Sequence, residues 1–164
     1  MREKFTFGFI TGHLWVQLIM LGSIFLQTFM VYPNIFYNIP HSFEIGMEFM
    51  AVAAPNTYFP PLGFLSILTG LVAVVLAWRH KHARCWVLAS MLMIVAEGAA
   101  SVIFEWPRNE MMFIEGANIH SVEFLKQTAR EFLVVHVFRV LCNIAGSILI
   151  FVGFLKYYRK RLVA

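Results

Sequence analysis

The stretch Glu131–Asn143, EFLVVHVFRVLCN, opens the last long apolar run of the chain, and its reading decides the rest. The run continues to Gly153 in residues oily enough for a bilayer, yet His136, Arg139 and Asn143 are set into it at steps of three and four. On an α-helix those steps stack side chains on one face. Lipid cannot satisfy an imidazole, a guanidinium and an amide on one stripe. The stretch therefore predicts a membrane helix with a polar face, and a polar surface elsewhere to receive it.

Composition agrees. Of 164 residues, 60% are hydrophobic and 13% charged, against about 25% charged in soluble proteins. The mean hydropathy is +0.72. The net charge of +4 does not point to nucleic acid, because the basic residues sit at the edges of apolar runs. They form three clusters: Arg2 with Lys4, RHKHAR at Arg79–Arg84, and KYYRKR at Lys156–Arg161. Charge in such places sets membrane topology. Cys85 and Cys142 lie inside apolar runs without metal-type spacing and read as small core residues. The start, MREKFTFGFITGH, stays apolar too long for a secretory signal and has no small-residue cleavage site, so it reads as a retained first span.

Four runs have spanning length at about 20 residues per span: 7–31, 61–78, 85–105 and 132–154. The fold class expected is all-α: a single domain over 1–164, a four-helix transmembrane bundle with a partly helical cap on the outer side. Loops are expected at 32–60 and 106–131. The basic clusters place both termini and the RHKHAR turn in the cytoplasm. In the first outer loop, Ser42 is a helix cap for SFEIGMEFMAVAA, with Phe43, Met47, Met50 and Ala54 on one face and Glu44 and Glu48 on another. From Ser121 the second loop turns helical and runs into the last span.

Polar residues recur at helical spacing in three of the runs. The first carries His13, Gln17 and Gln27; the third carries Glu97, Ser101 and Glu105; the fourth carries His136, Arg139 and Asn143. The second offers only Ser66 and Thr69 and reads as a packing wall. At about 1.5 Å per residue, Glu97 and Arg139 arrive at one depth, and His136 lies near Gln27 and below Glu105. An unpaired charge there costs about 2.5–3.5 kcal/mol, so a Glu97–Arg139 pair is expected. His13 and Gln17 fall in a different neighbourhood. A haem between two histidines is not expected, since His13 and His136 lie near opposite ends.

Two chemistries suit the outer-half cluster. His136, Glu97 and Glu105 are donors of the kind that hold one iron, manganese, copper or zinc ion, with His41, Glu44 and Glu48 as further ligands. Without a cofactor, His136 acts as base and Arg139 holds an enolate or phenolate oxygen between phenylalanine walls.

The layout resembles a known family. WPRN at Trp106–Asn109 follows the third run, H-x-x-R at His136 and Arg139 opens the fourth, and YPN ends the first before a PP start to the second. Together these resemble the anthrone-oxygenase-like family of small four-helix membrane proteins, with Pro107, Asn109, His136 and Arg139 matching its motifs. The resemblance implies oxidation of an anthrone to an anthraquinone by molecular oxygen without a conventional cofactor.

The functional expectation is a small membrane oxidoreductase or oxygenase acting on an aromatic or lipophilic substrate. Its catalytic residues are His136, Arg139, Glu97 and Asn109, and its pocket residues Gln27, Glu105, Asn143 and Arg108. The alternatives are a non-catalytic or metal-binding subunit packed against partner membrane proteins, and an ion- or proton-coupled carrier. The first leaves no cavity between its helices. Gly8-x-x-x-Gly12 adds a pattern for a homo-oligomer.

Overall fold

The computed structural model describes residues 2–163, with side chains over 3–162, and every regular element in it is helical. Helix α1 runs over Glu3–Phe36. Helix α2 is the short His41–Phe49. Helices α3 (Pro55–Ala77), α4 (Arg84–Ile119) and α5 (Val122–Leu162) follow. Of these, α1, α3, α4 and α5 are long and apolar enough to cross a membrane. The chain is an all-α bundle with the architecture of a multi-pass membrane protein.

The helices overrun the segments expected from the apolar runs. Most of 106–131 is helical, and α1 continues to Phe36. Polar residues end a hydropathic run, but backbone hydrogen bonding does not depend on oily side chains, so the helix carries on past them. At 41 residues, α5 is about 60 Å long against a hydrocarbon core of about 30 Å. It stands well clear of the bilayer. Helix α3 begins at Pro55, so Pro60 and Pro61 lie inside it. Neither can donate a backbone hydrogen bond, which leaves the Asn56 and Thr57 carbonyls without their helical partners.

The first turn of α1, the last turns of α5 and the turn at 78–83 share one end of the bundle, termed the terminal end. There the Tyr157 hydroxyl donates to the Glu3 carbonyl at 3.1 Å, and the His80 ring meets Tyr157 at 4.8 Å. Arg161 lies 4.8 Å over the Phe7 ring. The Arg2 side chain of the first basic cluster lies outside the described residues. An apolar core fills this half, with Ile10, Leu14, Ala73, Val87 and Ile150 fully or nearly buried. Packing is tight at Gly70, where a Cβ would lie 2.7 Å from Met91 Sδ and 2.9 Å from His13 Cε1.

A second core closes the opposite, cap end. Tyr32, Ile35, Phe43, Met112, Leu125 and Phe132 join α1, α2, α4 and α5 there. Ser42, expected to cap α2, instead fastens it back onto α1. Its hydroxyl donates to the Ile35 carbonyl at 2.5 Å and accepts from the Asn38 N–H at 3.3 Å. Two residues before Pro40 the chain is already turning, so the hydroxyl finds those backbone groups before its own helix. At the start of α5, Ser121 accepts from the Phe124 N–H at 3.2 Å, a capping bond.

Candidate functional site

Between the two apolar cores lies a buried polar layer. Arg139 of α5 donates through one terminal nitrogen to Glu105 of α4, and its other terminal nitrogen stands 3.9 Å from Glu97 Oε1. Asn143 Nδ2, one turn along α5, donates to Glu97 Oε2 at 2.8 Å. His136 Nδ1 lies 3.5 Å from Glu105 Oε1. The residues expected to converge do so. The primary partner differs, however: Glu105, not Glu97, makes the direct bond to Arg139.

The cause is local. Of three π-helical segments among the described residues, Gln27–Val31, Ser101–Glu105 and Glu110–Glu115, the first two adjoin this layer. Such a turn takes up an extra residue and re-aims the side chains around it. A regular depth count from the ends of the apolar runs sets Glu105 well above Arg139, whereas the structure joins the two. The same count also hides Thr28, whose hydroxyl lies 2.9 Å from His136 Nε2. The Thr28 hydroxyl is itself a donor to the Ile24 carbonyl at 2.7 Å. Tyr32, edge-on at 4.6 Å, and Phe132, stacked at 6.2 Å, hold the ring.

Beside this layer is a cavity of about 330 Å³ between the cap-end half of α3, the cap-end half of α4, and α1. Glu97, Glu105, Arg139, Gln27 and Asn109 supply its polar surface, and Phe59, Phe64 and Trp106 supply aromatic walls. His136 is not in the lining. It stands behind Glu105, fully buried, and so does not meet the expectation of a base in contact with a bound molecule. Arg108 is not in the lining either. It pairs with Glu131 at 2.8 Å and donates to the Phe104 carbonyl at 3.0 Å, fastening α4 to α5. Asn143 reaches the site through Glu97.

Not every buried polar atom of the layer is paired among the described residues, Arg139 Nε and Asn143 Oδ1 included. Gln27 Oε1 and Glu105 Oε1 are buried without a hydrogen-bond donor among the described residues. The expected metal set of His136, Glu97 and Glu105 is not assembled. No three His, Cys, Asp or Glu side chains among the described residues form a group that could hold a metal ion. The guanidinium of Arg139 lies between the two carboxylates, where a cation would otherwise sit. His41, Glu44 and Glu48 are exposed on α2, with His41 and Glu44 3.9 Å apart, and none lines the cavity.

His13 and Gln17 occupy their own neighbourhood nearer the terminal end. His13 Nδ1 meets Thr69 Oγ1 at 3.1 Å, and Gln17 donates to Ser66. Helix α3 is thus a polar partner to α1 as well as a packing wall. Ser66 and Thr69, spaced by three, were the available signal.

The fold and site define a class: a small helical multi-pass membrane protein with a buried guanidinium–carboxylate cluster beside a cavity. No family model, no curated protein and no solved structure matches the chain.

Proposed function

We propose that the chain is a small integral membrane oxidoreductase of the oxygenase type, acting on a lipophilic aromatic substrate held in the cavity, with both termini in the cytoplasm. The observation that carries this reading is the cavity itself, apolar and aromatic on its walls and ending on Glu97, Arg139 and Glu105. A subunit whose polar stripes only fixed helix geometry would fill that space with side chains. A carrier needs an open path onward; in the terminal half His13 and Gln17 are paired with Thr69 and Ser66, and Ile10, Leu14, Ala73 and Val87 are packed around them.

Roles follow from the contacts. Glu97 is the base. One of its oxygens is held by Asn143, and the other is 3.9 Å from Arg139, beyond hydrogen-bonding distance. Glu105 and His136 act behind Arg139, fixing the guanidinium where an enolate oxygen develops. With an anthrone, the class the family resemblance implies, Glu97 takes a proton from the ring methylene. The resulting carbanion forms a carbon–oxygen bond with molecular oxygen. Loss of the second hydrogen breaks the oxygen–oxygen bond, and the released hydroxide recovers the first proton as water. One CH₂ and one O₂ become one C=O and one H₂O.

The test is oxygen uptake by purified, reconstituted protein with anthrone as substrate. The reading expects one anthraquinone formed for each oxygen molecule consumed, above the rate in empty vesicles. Uptake no faster than in empty vesicles would sink it.

A further inference from the structure

The glycines of this bundle divide into two kinds. At Gly70, Gly146 and Gly153 an added Cβ would meet neighbouring atoms at 2.7, 3.3 and 3.1 Å, so the helices approach closely at these positions. Gly63 on α3 and Gly98 on α4 are different. Both line the cavity, and a Cβ at either would meet nothing within 4 Å. Close packing, the ordinary reason for glycine between membrane helices, does not account for them.

The surroundings explain what they do. From Pro55 to Leu65 helix α3 buries no residue, whereas Ser66, Gly70, Ala73, Val74 and Ala77 beyond it are buried. The cap-end half of α3 stands off from α4. The rim of the gap carries Phe64, Val102 and Trp106, exposed by 68%, 51% and 52%. Gly63 lies about 12 Å along α3 from its cap-end start, a depth at which an exposed rim faces hydrocarbon. Gln27, one of the lining residues, has a buried Oε1 without a hydrogen-bond partner among the described residues.

We infer that the cavity is a site for a neutral, membrane-dissolved small molecule that enters sideways from the bilayer between α3 and α4, through a slot kept open by Gly63 and Gly98. This deepens the proposed function, resting on its reading of the cavity as the substrate site, but it requires no chemistry. A Cβ has open space at both positions, so a leucine at Gly98 adds bulk to one wall of the slot and a leucine at Gly63 adds it to the other.

The test uses pyrene in lipid nanodiscs carrying the wild-type protein, read by energy transfer from tryptophan. The expected result is a saturable component in wild type, weakened at least tenfold in both Gly98→Leu and Gly63→Leu. It should be kept in Gly22→Leu, which also has open space at its Cβ but lies outside the cavity lining. Pyrene-1-sulfonate, which is confined to the aqueous face by its charge, should not compete. Absence of a saturable component in wild type overturns the inference. So do unchanged binding in both leucine variants and full competition by the sulfonate. Slot-dependent pyrene binding without oxygen uptake on anthrone would leave this inference standing and remove the oxygenase reading.

Discussion

Arg139 is buried with a carboxylate on each side, and its stability role can be separated from any chemistry. Removing one partner of a buried ion pair costs about 3–5 kcal/mol, because the remaining charge is stranded. Arg139→Leu should therefore unfold at clearly lower denaturant than wild type in detergent. The double variant Arg139→Leu with Glu105→Gln should recover part of the loss, as neutralising the stranded carboxylate removes part of the penalty. Equal unfolding midpoints for wild type and Arg139→Leu would count against the cluster as described. Gly70→Ala offers a second check, since its methyl would press on Met91 and His13. Overpacking of that kind costs about 1–3 kcal/mol, and Gly98→Ala, with open space, should cost much less. Much of this cluster was legible in the sequence. The three- and four-residue steps of His136, Arg139 and Asn143, with Glu97 at the depth of Arg139 and Glu105 just above His136, announced it. Which carboxylate bonds Arg139, and that His136 lies behind Glu105, were not legible.

Those misses belong to the scale of the element. The apolar runs located all four spans, but they gave no sign of the π-helical turns at Gln27–Val31 and Ser101–Glu105. A regular 3.6-residue count cannot anticipate an inserted residue. Proline told only part of its story: the pair at Pro60 and Pro61 suggested a helix start, while Pro55 actually opens α3. The result is a helix with two characters. Its cap-end half lacks two backbone hydrogen bonds and buries nothing, and its terminal half carries the buried residues. Local opening follows sparse burial and missing hydrogen bonds. Hydrogen exchange in detergent should be faster over residues 56–65 than over 66–77. Uniform protection along α3 would show that the stand-off half is as firmly held as the rest.

For the whole molecule, the arrangement of charge makes a topological prediction. Lys4, the 79–84 turn and the 156–161 segment gather at the terminal end, and an excess of Lys and Arg favours the cytoplasmic side. Cys85, exposed beside that turn, is a natural reporter, and Cys142 is buried. A membrane-impermeant maleimide should label Cys85 in inside-out vesicles and leave it unlabelled in intact cells. The reverse pattern would invert the orientation and place the cavity in the cytoplasmic half. The account's central claim, that Glu97 meets substrate in the cavity while His136 supports Arg139 from behind, is tested most directly by oxygen uptake on anthrone in matched, folded Glu97→Gln and His136→Gln proteins. Loss of a positioned base costs about 10²–10⁴-fold in rate. The account predicts a fall of that size for Glu97→Gln and a smaller one for His136→Gln. A silent His136→Gln beside a Glu97→Gln that keeps wild-type activity would contradict it.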